Sequence, residues 1–523
     1  MPRSLRAVLA LLLLVLIPAR PAQAYSVLSH EEVVDMAWKD NIVPMLKARF
    51  PGLDDDAIRQ AHAYAYGGSV IQDIGYYPFG SKYFSDLLHY VRTGDFVEAL
   101  IKDSTTPNEY AFALGALAHF CGDTIGHPFI NKVTADEYPA LKRRFGDSVT
   151  YEQDPTAHLR TEFGFDVVEV AHGRYSQDNY RDFIGFQVAK PLLEQAFQET
   201  YGFKLTDIMK HEDLAISTYR KAVSALIPQM TRVALVNYKK QIAAENPSFD
   251  EKKFLYRLNQ TEYQKEYGTD YIKPGFGARV TALFIRIMPK IGPFKALSLK
   301  IPTPDEQTTY IKGVNSTVDQ FKVYLAQIHA RPIPIPPPDP KDVADAQKAA
   351  GKADKAADKA QASADKAADP RDQAAKQQKA DAIQHSADRQ DKAADSLAAK
   401  AAPVPTNLSK DSVAKQDAPR PPNPHPPVVP DLRETDMDTG KPTSDGEYAL
   451  ADQTYAHLVA DLLKPNAPPV PTELKNDILS FYKSPAGEDD LKKTKPADWQ
   501  KLQANLSTLK AQPSVPSPSP GTR

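Results

Sequence analysis

Residues 111–131 read AFALGALAHFCGDTIGHPFIN, an apolar run in which the only titratable polar side chains are His119, Asp123 and His127. They stand at i, i+4 and i+8, so a helix carries all three on one stripe and leaves Ala, Leu, Phe and Gly for its other faces. Cys121, two residues from His119, points away from that stripe and reads as core packing. Two imidazoles and a carboxylate on an apolar surface cost free energy unless something satisfies them. A metal ion does so. Downstream, His158-Leu-Arg-Thr-Glu162 repeats the pairing of an imidazole and a carboxylate at i, i+4. Upstream, His30, Asp73 and His89 each sit among apolar neighbours. Imidazoles and carboxylates in this number point to a polynuclear zinc site, and hence to a hydrolase.

The surrounding chain supports a helical frame for such a site. From residue 25 to about 330, apolar positions recur at three and four, as in HEEVVDMAWKDNIVPMLKARF, DDAIRQAHAYAYG and the long stretch from Asp207 to about Glu245. Strand-like alternation is scarce, and Asn-Pro, Thr-Pro and Gly breaks separate the segments. The expected fold is all-α, a bundle whose helices project ligands into a common centre. Seven of the 12 His residues lie between positions 30 and 172, which puts the chemistry in this region.

The two ends read differently. Residues 1–24 have Arg3 and Arg6, an apolar run from Ala7 to Ile17, and Ala22-Gln23-Ala24, the pattern of a secretory signal peptide cut after Ala24. The run is too short to span a membrane, and no later one reaches about 18 apolar residues. A secreted or periplasmic protein with no stable transmembrane segment is expected. The sole cysteine rules out an internal disulfide, and a net charge of −2 gives no clear nucleic-acid footprint. From Arg331 the chain turns to RPIPIPPPDP, a polyproline spacer, then to Ala, Lys, Asp and Gln with near-repeats such as ADKAADKA, then to the proline-rich PRPPNPHPPVVPDL. Residues 331–445 therefore read as a Pro-rich, low-complexity linker, solvated or largely disordered for want of an apolar stripe. In 446–523, EYALADQTYAHLVADLL and ELKNDILSFYKS are short amphipathic patches before a tail, PSVPSPSPGTR, that reads as disordered.

Taken together, Tyr25-Ser-Val-Leu-Ser-His30, Asp73, His89, His119-x3-Asp123-x3-His127 and His158-x3-Glu162 resemble the zinc-dependent phospholipase C family and the related S1/P1 nucleases. The resemblance covers residues 25 to about 300. It implies an all-helical domain over 25–330 built around three zinc ions. It implies Asp73, His89, His119 and Asp123 at one zinc. The Tyr25 amine and carbonyl, His30 and a bridging Asp123 would hold the second, so signal cleavage completes the site. His127, His158 and Glu162 would hold the third. Asp73 doubles as general base toward the attacking water. Two departures stand out: the families usually begin with Trp, and their third His follows the bridging Asp by six residues, where this chain has Phe129. His62, His172 and His211 match no ligand role. Asp166 fits either a supporting hydrogen bond or a surface charge.

The resemblance implies a phospholipase C that splits phospholipids into diacylglycerol and a phosphorylated headgroup. A single-strand nuclease on the same scaffold is an alternative, and a non-catalytic, metal-stabilised envelope protein is another. Tyr76, Tyr77, Phe79, Tyr83 and Phe84 could cage a choline ammonium, stack a base, or form core. Residues 275–302, apolar with interspersed Arg and Lys, could rest on an anionic membrane surface or be a buried helix. On this reading an enzyme keeps its activity when cut at about residue 335, whereas a tether loses its function.

Overall fold

The computed structural model describes residues 27–77, 79–172, 187–221, 302–333, 340–366, single positions between 373 and 388, 423–465, 467–483 and 496–516. Tyr25, the expected signal peptide 1–24 and nearly all of 275–302 lie outside these residues. So do the side chains of Asp166 and His172.

Helix α1 (Val27–Ala37) continues through a π turn (Trp38–Ile42) into α2 (Val43–Arg49). Then come α3 (Asp55–Gly68), a 3-10 turn (Ile71–Tyr76), α4 (Lys82–Tyr90), α5 (Thr93–Asp103) and α6 (Pro107–Cys121). A second π turn (Gly122–Gly126) leads directly into α7 (His127–Glu137), followed by α8 (Pro139–Phe145) and α9 (Pro155–His172). After these lie α10 (Lys190–Tyr201), α11 (Leu205–Ile208), α12 (Glu212–Lys221) and α13 (Pro304–Gln327). Local sequence sets several starts. Asp54 accepts the Ala57 N–H at the head of α3, and Thr106 with Glu109 forms a reciprocal capping box ahead of Pro107 in α6. Thr303 and Glu306 do the same for α13.

Every residue of α6 from Tyr110 to Cys121 is buried, which accounts for a sequence apolar on all sides. Its closest neighbour is α3, and Gly115 makes the approach possible: a Cβ there would run into the Ala65 carbonyl. Leu114, Leu117, Val33, Val34, Leu88 and Phe165 belong to the core that surrounds these two helices. Among the described residues the strand-type pairings are three isolated bridges, so the fold is all-α.

The chain divides into two units, one of residues 1–255, 288–333 and 420–523, the other of 256–287 and 334–419. In the second, the alanine-rich segment forms α14 (Pro340–Asp365), with Ala350, Ala357 and Ala364 buried at seven-residue intervals. Gln361 and Gln377 exchange side-chain amide hydrogen bonds at 2.9 and 3.0 Å.

Composition assigned all of 331–445 to a linker; the structure places residues 423–445 against the helical domain instead. Asn423 donates to the carbonyls of Lys102 and Ser104 at 2.7 and 2.9 Å. The Leu432 N–H reaches Glu98 at 2.9 Å, and Thr93 donates to the Thr435 carbonyl at 2.9 Å. Leu432 and Met437 are buried in the main core. Apolar counting passes over this segment because two side chains and a ladder of main-chain hydrogen bonds hold it. Beyond it lie α15 (Ala449–Leu462), α16 (Thr472–Phe481) and α17 (Pro496–Ala511). The first two cover the amphipathic patches read from sequence; the third was not singled out there.

Candidate metal centre

The helix that carries His119, Asp123 and His127 is not uniform. An α-helix turns about 100° per residue, so a stripe at i, i+4 and i+8 drifts by about 80°. The π turn at Gly122–Gly126 widens the helix where Asp123 sits and counters that drift. All three side chains consequently face one point inside the bundle. His30 comes from α1, Asp73 from the 3-10 turn, His89 from the last turn of α4, and His158 with Glu162 from α9. Each of these eight residues is at most 3 % exposed.

Asp123 stands at the middle. Its Oδ2 lies 3.1 Å from His119 Nε2 and 3.2 Å from His89 Nε2, and its Oδ1 lies 3.4 Å from both His30 Nε2 and His127 Nε2. Asp73 Oδ1 is 3.3 Å from His89 Nε2. Glu162 Oε1 is 3.1 Å from His158 Nδ1 and 3.5 Å from His127 Nε2. Donor atoms from His30, His119 and Asp123 form one tight group, and those from Asp73, His89 and His119 form another. The structure thus places the eight described residues named by the resemblance in one buried cluster, with Asp123 within 3.4 Å of four imidazole nitrogens.

Two observations test whether zinc fits. First, ligand atoms at about 2.0–2.1 Å from a tetrahedral zinc stand about 3.3 Å from one another, and the separations here run from 3.1 to 3.5 Å. Yet both oxygens of Asp73, Asp123 and Glu162, and the facing nitrogens of His89, His119 and His158, make no well-formed hydrogen bond. A buried polar network would need those bonds, since an unsatisfied buried carboxylate costs more than its pairing returns. Second, four rings are fixed from behind. His89 Nδ1 meets the Ser85 carbonyl at 2.7 Å, His119 Nδ1 the Ser69 carbonyl at 2.8 Å, and His127 Nδ1 the Met437 carbonyl at 3.0 Å. His158 Nε2 meets the Asn131 amide oxygen at 2.8 Å. A carbonyl only accepts, so each ring carries its proton on the outer nitrogen and turns a lone pair inward. The nitrogen and oxygen donor set suits zinc.

The electrostatics match. Burial favours a neutral His127 ring, but Asp123 and Asp438 outweigh it and push the group up to about 10. Burial also opposes charge on Asp123, yet His127 and His119 hold its carboxyl well below the usual range. Burial raises both Asp73 and Glu162, and burial with the neighbouring rings depresses His30.

Other candidates separate from this centre. His62 pairs with Asp35 at 2.9 Å and stacks on Trp38, and His211 is exposed. Cys121 is a buried free thiol whose proton burial retains. The five aromatics after Asp73 diverge. Phe84 is core, Tyr77 packs edge-on to Tyr219, Tyr83 stacks on His457, Phe79 is exposed, and Tyr76 lies 5.7 Å from the His89 ring. They do not converge on one cage. Sequence reading missed Asn131, although it extends the His119-Asp123-His127 stripe by four more residues. It also missed Met437 and Asp438, which carry no local signal.

Residues 29–202 match a family model described as zinc dependent phospholipase C. No curated protein and no solved structure matches the chain. The match supports a phospholipase C-like hydrolytic function and implies a lipid substrate; among the described residues no helix is long and apolar enough to cross a membrane. The stretch that contains all eight of these buried side chains is thus the stretch that matches the zinc-dependent phospholipase C family model.

Proposed function

We propose that this protein is a secreted or periplasmic phospholipase C that holds three zinc ions and cleaves phospholipids into diacylglycerol and a phosphorylated headgroup. The observation that carries the reading is the buried set of nitrogen and oxygen atoms 3.1–3.5 Å apart around Asp123 and Glu162, with His89, His119, His127 and His158 each tied from behind by a protein oxygen. Asp73, His89, His119 and Asp123 would hold one ion. Tyr25, His30 and Asp123 would hold the second, and His127, His158 and Glu162 the third. Bound zinc supplies positive charge for the phosphoryl oxygens and makes a water molecule acidic near neutral pH.

The chain's own groups do the rest. Asp73 accepts the proton of the water that attacks phosphorus; the bond from phosphorus to the glycerol oxygen breaks, and that oxygen takes up a proton from solvent to leave as the diacylglycerol hydroxyl. Asp73 is fully buried and its Oδ1 stands 3.3 Å from His89 Nε2, which fixes the carboxylate at the centre. The carbonyls of Ser85 and Ser69 keep the rings of His89 and His119 in one tautomer and one orientation. Export completes the set, because cleavage after Ala24 frees the Tyr25 amine.

The test is elemental analysis of the exported chain beginning at Tyr25, followed by assay on phosphatidylcholine vesicles and on single-stranded DNA. About three zinc ions per chain and release of diacylglycerol are expected. Asp123→Ala should strip zinc and lower hydrolysis by at least about 10²–10³-fold, the loss that follows from removing one charge-stabilising group. A folded chain that binds no zinc sinks the reading, and cleavage of DNA without lipid moves it to the nuclease class.

A further inference from the structure

The third group of ligands, His127, His158 and Glu162, is held by a segment more than 270 residues away in sequence. The loop Asp436–Gly440, DMDTG, folds back on itself. Asp436 Oδ1 accepts the N–H groups of Asp438 and Thr439 at 2.8 and 3.0 Å, and the Gly440 N–H returns to the Asp436 carbonyl at 2.8 Å. Gly440 has φ +68°, and a Cβ there would press on the carbonyl of Thr124 in the π turn beside Asp123. The loop therefore lies directly on the turn that carries the bridging ligand.

Its contacts reach both histidines of the third group. The Met437 N–H donates to the His89 carbonyl at 3.2 Å, while the Met437 carbonyl accepts the His127 Nδ1 proton at 3.0 Å. Asn131, whose amide oxygen orients His158, donates its own N–H to the Asp438 carbonyl at 2.7 Å. The Asp438 carboxylate is 1 % exposed. Its Oδ2 accepts from the Tyr90 hydroxyl at 2.9 Å and from Tyr448 at 2.5 Å. Its Oδ1 has no well-formed hydrogen bond and stands 3.5 Å from His127 Nδ1. A buried carboxylate so placed needs positive charge in front of it. An imidazole with a metal ion on its far nitrogen offers that charge, in the carboxylate–histidine–metal order.

Resting on the metal-centre reading above, we propose that the C-terminal loop 436–440 is the outer shell of the third metal site. In it Asp438 is a positioning residue that acts through His127, so the segment that composition marks as linker is part of the enzyme.

The experiment uses the full exported chain and zinc alone as probe, with stepwise dissociation constants read by chelator competition. Asp438→Asn keeps the shape and removes the charge. It should weaken one zinc by about 10–100-fold and leave the others within about twofold. In a His127→Gln background, where that zinc is already weak, Asp438→Asn should add nothing. Should Asp438→Asn not accumulate, Tyr448→Phe removes one hydroxyl from Oδ2 and should weaken the same zinc to a smaller degree. Unchanged affinities, an equal loss at every site, or a loss that persists in the His127→Gln background overturn the proposal. A wild-type chain without zinc overturns the metal centre and this role together; a wild-type chain with zinc but no coupling overturns this role alone.

Discussion

The helical domain and the C-terminal segment contribute to the centre in opposite ways. The helical domain supplies the candidate ligand side chains, five of them from helical spacing: i, i+4, i+8 at His119, Asp123 and His127, and i, i+4 at His158 and Glu162. The segment 423–448 supplies main-chain carbonyls, one buried carboxylate and a tyrosine hydroxyl. Its residues lie in no regular element, and the family match over 29–202 does not reach it. The difference teaches that the side chains of a buried cluster can all come from one stretch of chain while groups that orient them come from another.

The largest effect should come from removing the segment. A chain cut after Ile333 loses the Met437 carbonyl and Asp438, and it removes Leu432, Tyr455 and Leu458 from the main core. The expectation read from composition, that a chain cut near residue 335 keeps its activity, gives way to loss of soluble protein or of at least one zinc. Full zinc content and full hydrolysis in the cut chain would show the two regions to be independent after all.

A smaller perturbation sharpens the same comparison. Gly440→Val places a β-branched residue at φ +68° against the Thr124 carbonyl. The strain should cost about 1–3 kcal/mol, read as a lower Tm, together with weaker binding of one zinc. An unchanged Tm would mean that the loop gives way freely and does not brace the π turn.

The smallest effect is a control that touches neither region. Glu212, near Lys190 at 3.4 Å, is pushed up to about 8 by burial and by Glu194. The folded state therefore holds this proton more tightly than the unfolded chain, where the group titrates near 4.5. Its contribution to stability is fully present below about pH 4.5 and is lost as pH rises through about 8. Glu212→Gln should remove that slope, so the variant gains on the parent in denaturant titrations between these limits, with zinc content unchanged. Parallel stability curves would place the carboxyl at its ordinary value.

Legibility followed the range of the forces involved. The His119-Asp123-His127 stripe and the all-α frame depend on neighbours within a few residues, so the spacing alone displayed them; the caps at Asp54 and Thr106 are equally local and were not singled out. Asn131 was legible on the same stripe, but attention stopped at the titratable groups. The π turn at Gly122–Gly126 left no signal beyond two glycines, because its role is to correct a drift that matters only when three helices meet.

What the sequence by itself displayed is the cluster's make-up: His119, Asp123, His127, His158 and Glu162 at helical spacing, with His30, Asp73 and His89 among apolar neighbours, a set costly to bury without a partner. What only the tertiary structure decided is the support. Main-chain carbonyls look alike in every residue, so nothing in the letters Met437 and Asp438 says which imidazole they will meet. That choice is made when Leu432, Met437 and the hydrogen bonds of residues 423–445 dock on the helices, an arrangement fixed by packing across more than 300 residues of chain.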